Sequence, residues 1–159
     1  MMKVNQYSRA QWPRLLCALP DIKVREIAQA CVSQHQIEDI AIPQSGLALL
    51  QIYESALGDN YYLGEIALAR AHVRITSDDG QKIEGAAQIM DDRKDLAQAI
   101  AVLDAVLAAQ LTGWEDVYEL LQQGDRILEK EMNQRRMLLS TTKVDFSTLD
   151  DIDKSNDHD

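Results

Sequence analysis

The stretch Arg70-Ala71-His72-Val73-Arg74-Ile75-Thr76-Ser77-Asp78-Asp79-Gly80-Gln81-Lys82-Ile83-Glu84-Gly85-Ala86-Ala87-Gln88-Ile89-Met90 decides the fold class. Its first part alternates strictly. Ala71, Val73 and Ile75 fall on one face of a strand, and Arg70, His72 and Arg74 on the other. Asp78-Asp79-Gly80 is a hairpin turn signal, because the glycine accepts the positive backbone angle that such a turn needs. Gln81 to Met90 returns with Ile83, Ala87 and Ile89 on a common face. The pattern predicts an antiparallel hairpin with one face buried.

Upstream, Gly46-Leu47-Ala48-Leu49-Leu50-Gln51-Ile52-Tyr53 is apolar at both parities. That is the pattern of a strand covered on both sides. Gly58-Asp59-Asn60 marks a turn, and Tyr61 to Thr76 follows as a second strand. Within it, Glu65 to Ala71 favours helix on propensity alone. The apolar parity also switches there, from Ile66 and Leu68 to Ala71 and Val73, which predicts a bulge or bend. Ile37 to Pro43 reads as a connector or a short strand.

Helical patterns flank the meander. Ser8 to Gln36 reads as two helices. The first has Ser8 as N-cap and Trp12, Leu15, Leu16 and Leu19 at helical spacing, and Pro20 ends it. Asp21 is placed to cap the second, which carries Val24, Ile27, Ala28, Cys31 and Val32 on one face. After the hairpin, Asp91 or Asp92 is the expected cap of a helix with Asp95 in its first turn. That helix carries an apolar stripe of Leu96, Ala99, Ile100, Leu103, Val106 and Leu107, and Gly113 breaks it. Trp114, Val117, Leu120, Leu121, Leu128 and Met132 predict a further amphipathic helix with Gly124 as a weak point. Helices, meander and helices without a repeating βαβ unit give an α+β fold. It is an antiparallel β-meander flanked by N-terminal and C-terminal helices. Residues 1–144 form one domain and residues 145–159 an acidic, flexible tail.

A chain of 159 residues and 17.9 kDa is the size of one domain, able to bury roughly 70% of its unfolded surface. Net charge is −10, which disfavours nucleic acid and anionic membrane as partners. No apolar run is long enough to span a bilayer. The start carries no leader-like apolar stretch. The two cysteines, Cys17 and Cys31, sit on apolar helix faces as small hydrophobes, so a disulfide scaffold is not expected. The expected compartment is the cytoplasm.

Catalytic signatures are missing from the sequence. It has no phosphate-binding glycine loop, no dinucleotide fingerprint and no nucleophile elbow. His35, His72 and His158 do not stand in ligand spacing with the cysteines, so no metal site is assigned. The row Arg70, His72, Arg74 is the most specific feature. Two guanidiniums with an imidazole between them can hold a phosphate or a partner's carboxylate. The alternative is a solvated strand face paired to nearby acids, with Glu84 across the hairpin as one partner. Val144, Phe146 and Leu149, just ahead of the acidic end, form a candidate docking patch.

The chain resembles the PhnG family, a small subunit of the bacterial carbon–phosphorus lyase system. The matching stretches begin with Arg9-Ala10-Gln11-Trp12, Ser45-Gly46-Leu47 and Tyr62-Leu63-Gly64-Glu65. They continue with Arg70-Ala71-His72-Val73-Arg74-Ile75 and the helix Ala99 to Leu107, and end with Lys143-Val144-Asp145-Phe146-Ser147-Thr148-Leu149. Ala69 stands where the family usually has Thr, and Ser147 where a second Phe is usual. The resemblance implies a subunit that works with PhnI, PhnH, PhnJ and PhnK-type proteins, and with PhnL for activity. Together they transfer a phosphonate to ribose C1 of ATP with release of adenine. It implies no catalytic residue and no cofactor bound by this chain; ATP, with Mg, is the substrate of the complex. The other reading is a stand-alone soluble binding or regulatory module unrelated to phosphonates.

Overall fold

Three antiparallel strands in the order β1-β2-β3 make the sheet: β1 (Gln36–Glu54), β2 (Asp59–Thr76) and β3 (Lys82–Ile89). The computed structural model describes residues 6–33, 35–56, 58–77 and 79–141. A 3-10 turn at Arg9–Gln11, α1 (Trp12–Cys17) and α2 (Asp21–Val32) precede the sheet. Helices α3 (Lys94–Ala109) and α4 (Trp114–Thr141) follow it. The fold is α+β, with an antiparallel meander between two sets of helices. Two compact units are distinguished, one ending at Ile127 and one starting at Leu128.

Within the first unit, α3 is the centre of the core. Ten of its apolar residues, from Leu96 to Leu107, are buried, along with Asp104. A helix apolar all round, rather than along one stripe, belongs inside a protein. It lies against β2 and β3 on one side and α2 on the other. The sheet face it covers carries Ala69, Ala71, Val73 and Ile75 of β2 with Ala87 and Ile89 of β3, all buried. Gly85 of β3 is the point of closest approach. A Cβ there would stand 2.1 Å from the carbonyl oxygen of Ala101.

The hairpin between β2 and β3 forms as the alternation predicts. Arg70 to Thr76 pair with Gln88 to Lys82 without a shift. Gly80 takes the turn's positive φ of 81°. The helix-favouring stretch Glu65–Ala71 is strand, because pairing with β1, joined from Ala69 on by pairing with β3, outweighs intrinsic propensity. The expected bulge at the parity switch does not occur in β2. Ile66 and Leu68 simply lie on the face opposite Ala69 and Ala71. The shifts lie elsewhere: between Asp39 and Ala41, between Ala41 and Gln44, and between Leu50 and Gln51, where the extra residue is Leu63 of β2.

Strand β1 is longer than its sequence suggests. Ile37 to Pro43 belongs to it, and Pro43 is tolerated because β1 is an edge strand shifted in register there.

The caps also differ from expectation. Asp21 is the first residue of α2, after Pro20, and pairs with Arg25 one turn on at 3.0 Å. At α3 the capping residue is Arg93, not Asp91 or Asp92. Asp91 instead accepts hydrogen bonds from the Arg93 backbone N–H at 2.9 Å and from its Nε at 2.8 Å. That contact holds the Asp91 carboxyl well below the usual carboxylate range. The first helix is shorter than its pattern, since Arg9–Gln11 winds as 3-10. Gln11 Oε1 there accepts from both the Ser8 N–H and the Ser8 hydroxyl.

Gly124 is no weak point in α4. A Cβ at this position would stand 2.1 Å from the Leu15 carbonyl oxygen, so glycine is what lets the two backbones touch. Val117, Tyr118, Leu120 and Leu121 bury the same part of the helix. Cys31 is buried and Cys17 half-buried, both as thiols, and burial pushes both pKa values up.

In the second unit, residues 128–141 are helical. Met132, expected on a buried stripe, is exposed, as are Met137, Leu138 and Leu139. No single helix among the described residues is long and apolar enough to cross a membrane.

Candidate functional site

The sheet has a second face, turned away from α3. Residues two apart on β2 share it, so Ile66, Leu68, Arg70, His72 and Arg74 form one file. The two arginines differ in what stands beside them. Arg74 lies opposite Glu38 on β1 and opposite Glu84 on β3. Its guanidinium donates to Glu84 Oε1 at 2.9 Å and lies 3.6 Å from Glu38 Oε2. His72 Nε2 is 3.2 Å from the other Glu84 oxygen. The carboxylate therefore bridges the imidazole and the guanidinium. Hydrogen bonding to Arg74 and then to His72 lowers the Glu84 pKa, and Glu84 in turn raises that of Arg74.

Arg70 lies opposite Gln44 and Gln88, two neutral amides. It donates to Gln44 Oε1 at 2.9 Å, and among the described residues it pairs with no carboxylate. A groove of about 270 Å³ opens beside it, lined by Ser45, Leu47, Leu68 and Gln88 among others. The three residues proposed from sequence thus share a face but not a role. Arg74 and His72 both engage Glu84, and Arg70, with an amide as partner, presents its positive charge beside a groove.

The outer halves of β1 and β2 form a two-stranded ribbon. Here the structure overturns the expectation that Leu47 to Tyr53 is covered on both sides. Leu47 is 69% exposed, Leu49 61% and Tyr53 65%; Tyr62 and Leu63 on β2 are 60% and 58% exposed. Helix α3 lies against the inner part of the sheet and does not reach them. Nothing in the sequence separates a strand covered by its own helices from one that extends past them.

A buried charge was also missed. Asp104 lies inside the core helix at 4% exposure. Its two oxygens accept from Arg9 Nε at 2.8 Å and Nη2 at 2.7 Å, and Oδ2 also accepts from the Ala86 N–H at 3.0 Å. Arg9 further donates to the Glu84 carbonyl at 3.2 Å. The only hint in the sequence is a lone Asp in an apolar helix.

A hollow of about 570 Å³ between α2, α3 and the start of β1 has an apolar floor that includes Ala28, Val32 and Val102. Asp39 and Gln98 are joined across it by a 2.9 Å hydrogen bond. Among the described residues no group of three or more His, Cys, Asp or Glu is placed to hold a metal ion. Val144, Phe146 and Leu149 lie outside the described residues.

A family model described as "Phosphonate metabolism protein PhnG" matches residues 7–150. No curated protein gives a significant match to the chain.

Proposed function

Because the chain belongs to the PhnG family of phosphonate metabolism proteins, we propose that it is a non-autonomous subunit of the carbon–phosphorus lyase complex. In this reading it supports transfer of a phosphonate to ribose C1 of ATP, with adenine released, in company with PhnI, PhnH, PhnJ and PhnK-type subunits and with PhnL. It works in the cytoplasm, where ATP is. It contributes structure and charge rather than a reacting group, and ATP with Mg is bound by the complex rather than by this chain alone.

The observation that carries the reading is the uncovered ribbon. Leu47, Leu49, Tyr53, Tyr62 and Leu63 are all more than half exposed and lie close together on two strands. Single exposed apolar residues are ordinary, whereas a contiguous patch marks a surface that another molecule covers. Arg70 supports the reading in a second way. A guanidinium flanked by amides is free to meet an anion, either a substrate phosphate or a carboxylate of a neighbouring subunit.

Co-expression with a PhnI-type subunit, followed by size-exclusion chromatography with light scattering, tests it. Co-elution at a defined mass is the expected result. A monodisperse chain that ignores the partner would instead support a stand-alone binding module.

A further inference from the structure

We propose that one particular face of the β1–β2 ribbon, bearing Leu47, Leu49, Tyr53 and Tyr62, is the docking surface for a different protein chain that presents an apolar patch rimmed by Lys or Arg. The inference rests on the subunit reading and specifies where and by what chemistry that subunit is held.

The register identifies the face. Leu47 stands opposite Ala67, Leu49 opposite Glu65, Gln51 opposite Tyr62 and Tyr53 opposite Asn60. Residues directly opposite share a face, and so do residues two apart. Counting inward along β2 from Glu65 and Ala67, this is the face of Ala69, Ala71, Val73 and Ile75, which α3 covers; Tyr62 joins it because Leu63 is an extra residue in β2 at the register shift. The same sheet surface is therefore closed at its root and open along the ribbon. Exposure changes from 0% at Ala69 to 69% at Leu47 and 60% at Tyr62. A sheet face of this composition needs a second layer, and a lone two-stranded ribbon is marginal in water. The opposite face is less open, with Leu50 at 38% and Tyr61 at 46%. The tyrosines fit the role, since aromatic side chains with a polar tip are enriched as interface anchors.

Charge selects the occupant. Between Arg25 and Arg70 the chain contains no Lys or Arg. The ribbon's charged residues are all acidic: Glu65 lies on this face, directly across from Leu49, and Glu54 and Asp59, opposite each other, lie on the other face. A second copy meeting this face through a two-fold axis would bring another Glu65 and no basic group to pair with it. An anionic lipid surface is repelled for the same reason. A different chain with basic groups around an apolar patch satisfies both the leucines and Glu65.

The test uses the full chain with co-purified PhnH-, PhnI- and PhnJ-type subunits. Affinity is measured for the unaltered protein, Leu49→Asp, Tyr62→Ala and Glu65→Lys, with circular dichroism confirming that each is folded. We expect Leu49→Asp and Tyr62→Ala to weaken binding by roughly 30-fold or more, the size of an anchor residue's loss. Glu65→Lys should weaken it less and remove part of its salt dependence. Since Tyr62 and Glu65 are exposed, these two variants carry the test even if Leu49→Asp fails to fold. Binding unchanged in all three variants would overturn the inference while leaving the subunit reading standing. Concentration-dependent self-association that Leu49→Asp abolishes, without hetero-complex formation, would assign the face to a second copy and overturn it. An unaltered chain that stays monomeric and binds none of the subunits would remove the subunit reading itself.

Discussion

Arg9 and Asp104 meet across 95 residues of chain, through two parallel N–H···O bonds of 2.8 and 2.7 Å. The pair ties the N-terminal segment to the core helix, and the Ala86 N–H brings β3 to the same carboxylate. Asp104 is buried, while the Arg9 side chain is 55% exposed. Hydrogen bonding to Asp104 raises the Arg9 pKa.

Arg9→Met removes the charged donors and leaves the carboxylate with one backbone N–H. The expected cost is roughly 1.5–3 kcal/mol, the worth of a hydrogen bond to a charged group. It falls below the 3–5 kcal/mol typical of breaking a fully buried pair, because water reaches Arg9. Thermal melting should show Tm lower by roughly 3–12 °C. An unchanged Tm would mean that the pair contributes nothing net.

Gly124→Ala sets two effects against each other. In an exposed helix the change gains about 1 kcal/mol. Here the new Cβ meets the Leu15 carbonyl oxygen at 2.1 Å, and forcing extra volume into packed structure costs about 1–3 kcal/mol. Destabilisation is the expected outcome in urea titration. A more stable variant would show that α1 moves aside freely.

Stability should fall with alkali through Tyr7. Burial, then the hydrogen bond its hydroxyl donates to Asp125 at 2.9 Å, pushes its pKa up to about 12 from 10.0. The folded state holds the phenolic proton where the unfolded chain has lost it. This contribution is therefore complete below pH 10 and disappears as pH rises towards about 12. Tyr7→Phe should flatten that part of the profile. Asp91 acts at the other end. Its depressed pKa makes a contribution that is present above the ordinary carboxylate range and lost as pH falls below it. Asp91→Asn should reduce the loss of stability in acid. Denaturation midpoints across pH check both.

Arg70 and Arg74 should separate by readout. Arg70→Ala is expected to change stability by less than about 0.5 kcal/mol, as for a surface site, yet to weaken assembly or phosphate binding in the complex. A double-mutant cycle between Arg74 and Glu84 should give a small coupling that shrinks in salt. Equal effects of Arg70→Ala and Arg74→Ala on assembly would remove the distinction drawn from their neighbours.

Much of the fold was legible where a residue's neighbours in sequence are also its neighbours in space. The hairpin around Gly80 and the buried file Ala71, Val73, Ile75 follow from alternation and one turn. The Arg70, His72, Arg74 row and its partner Glu84 follow from the same register. The extent of β1 was harder to read, since Pro43 resembles a break until edge position and register shift excuse it. The Arg9–Asp104 pair left no local signal at all. Leu47 to Tyr53 was read as covered because apolar content reports that a surface is to be buried, not whose atoms bury it.

The central position of α3 bears on how the chain is made. The sheet whose inner face it covers is translated first, β1 opening at Gln36, while the helix ends at Ala109. At about 5–20 residues per second, roughly 4–15 s separate the two. Ala69, Ala71, Val73 and Ile75 are made later in that interval and wait roughly 2–8 s for α3 to pack against, so the meander cannot consolidate as it emerges from the ribosome. Folding of the first unit is thus held back at least until α3 has been synthesised, and in that window the nascent strands depend on whatever shields them.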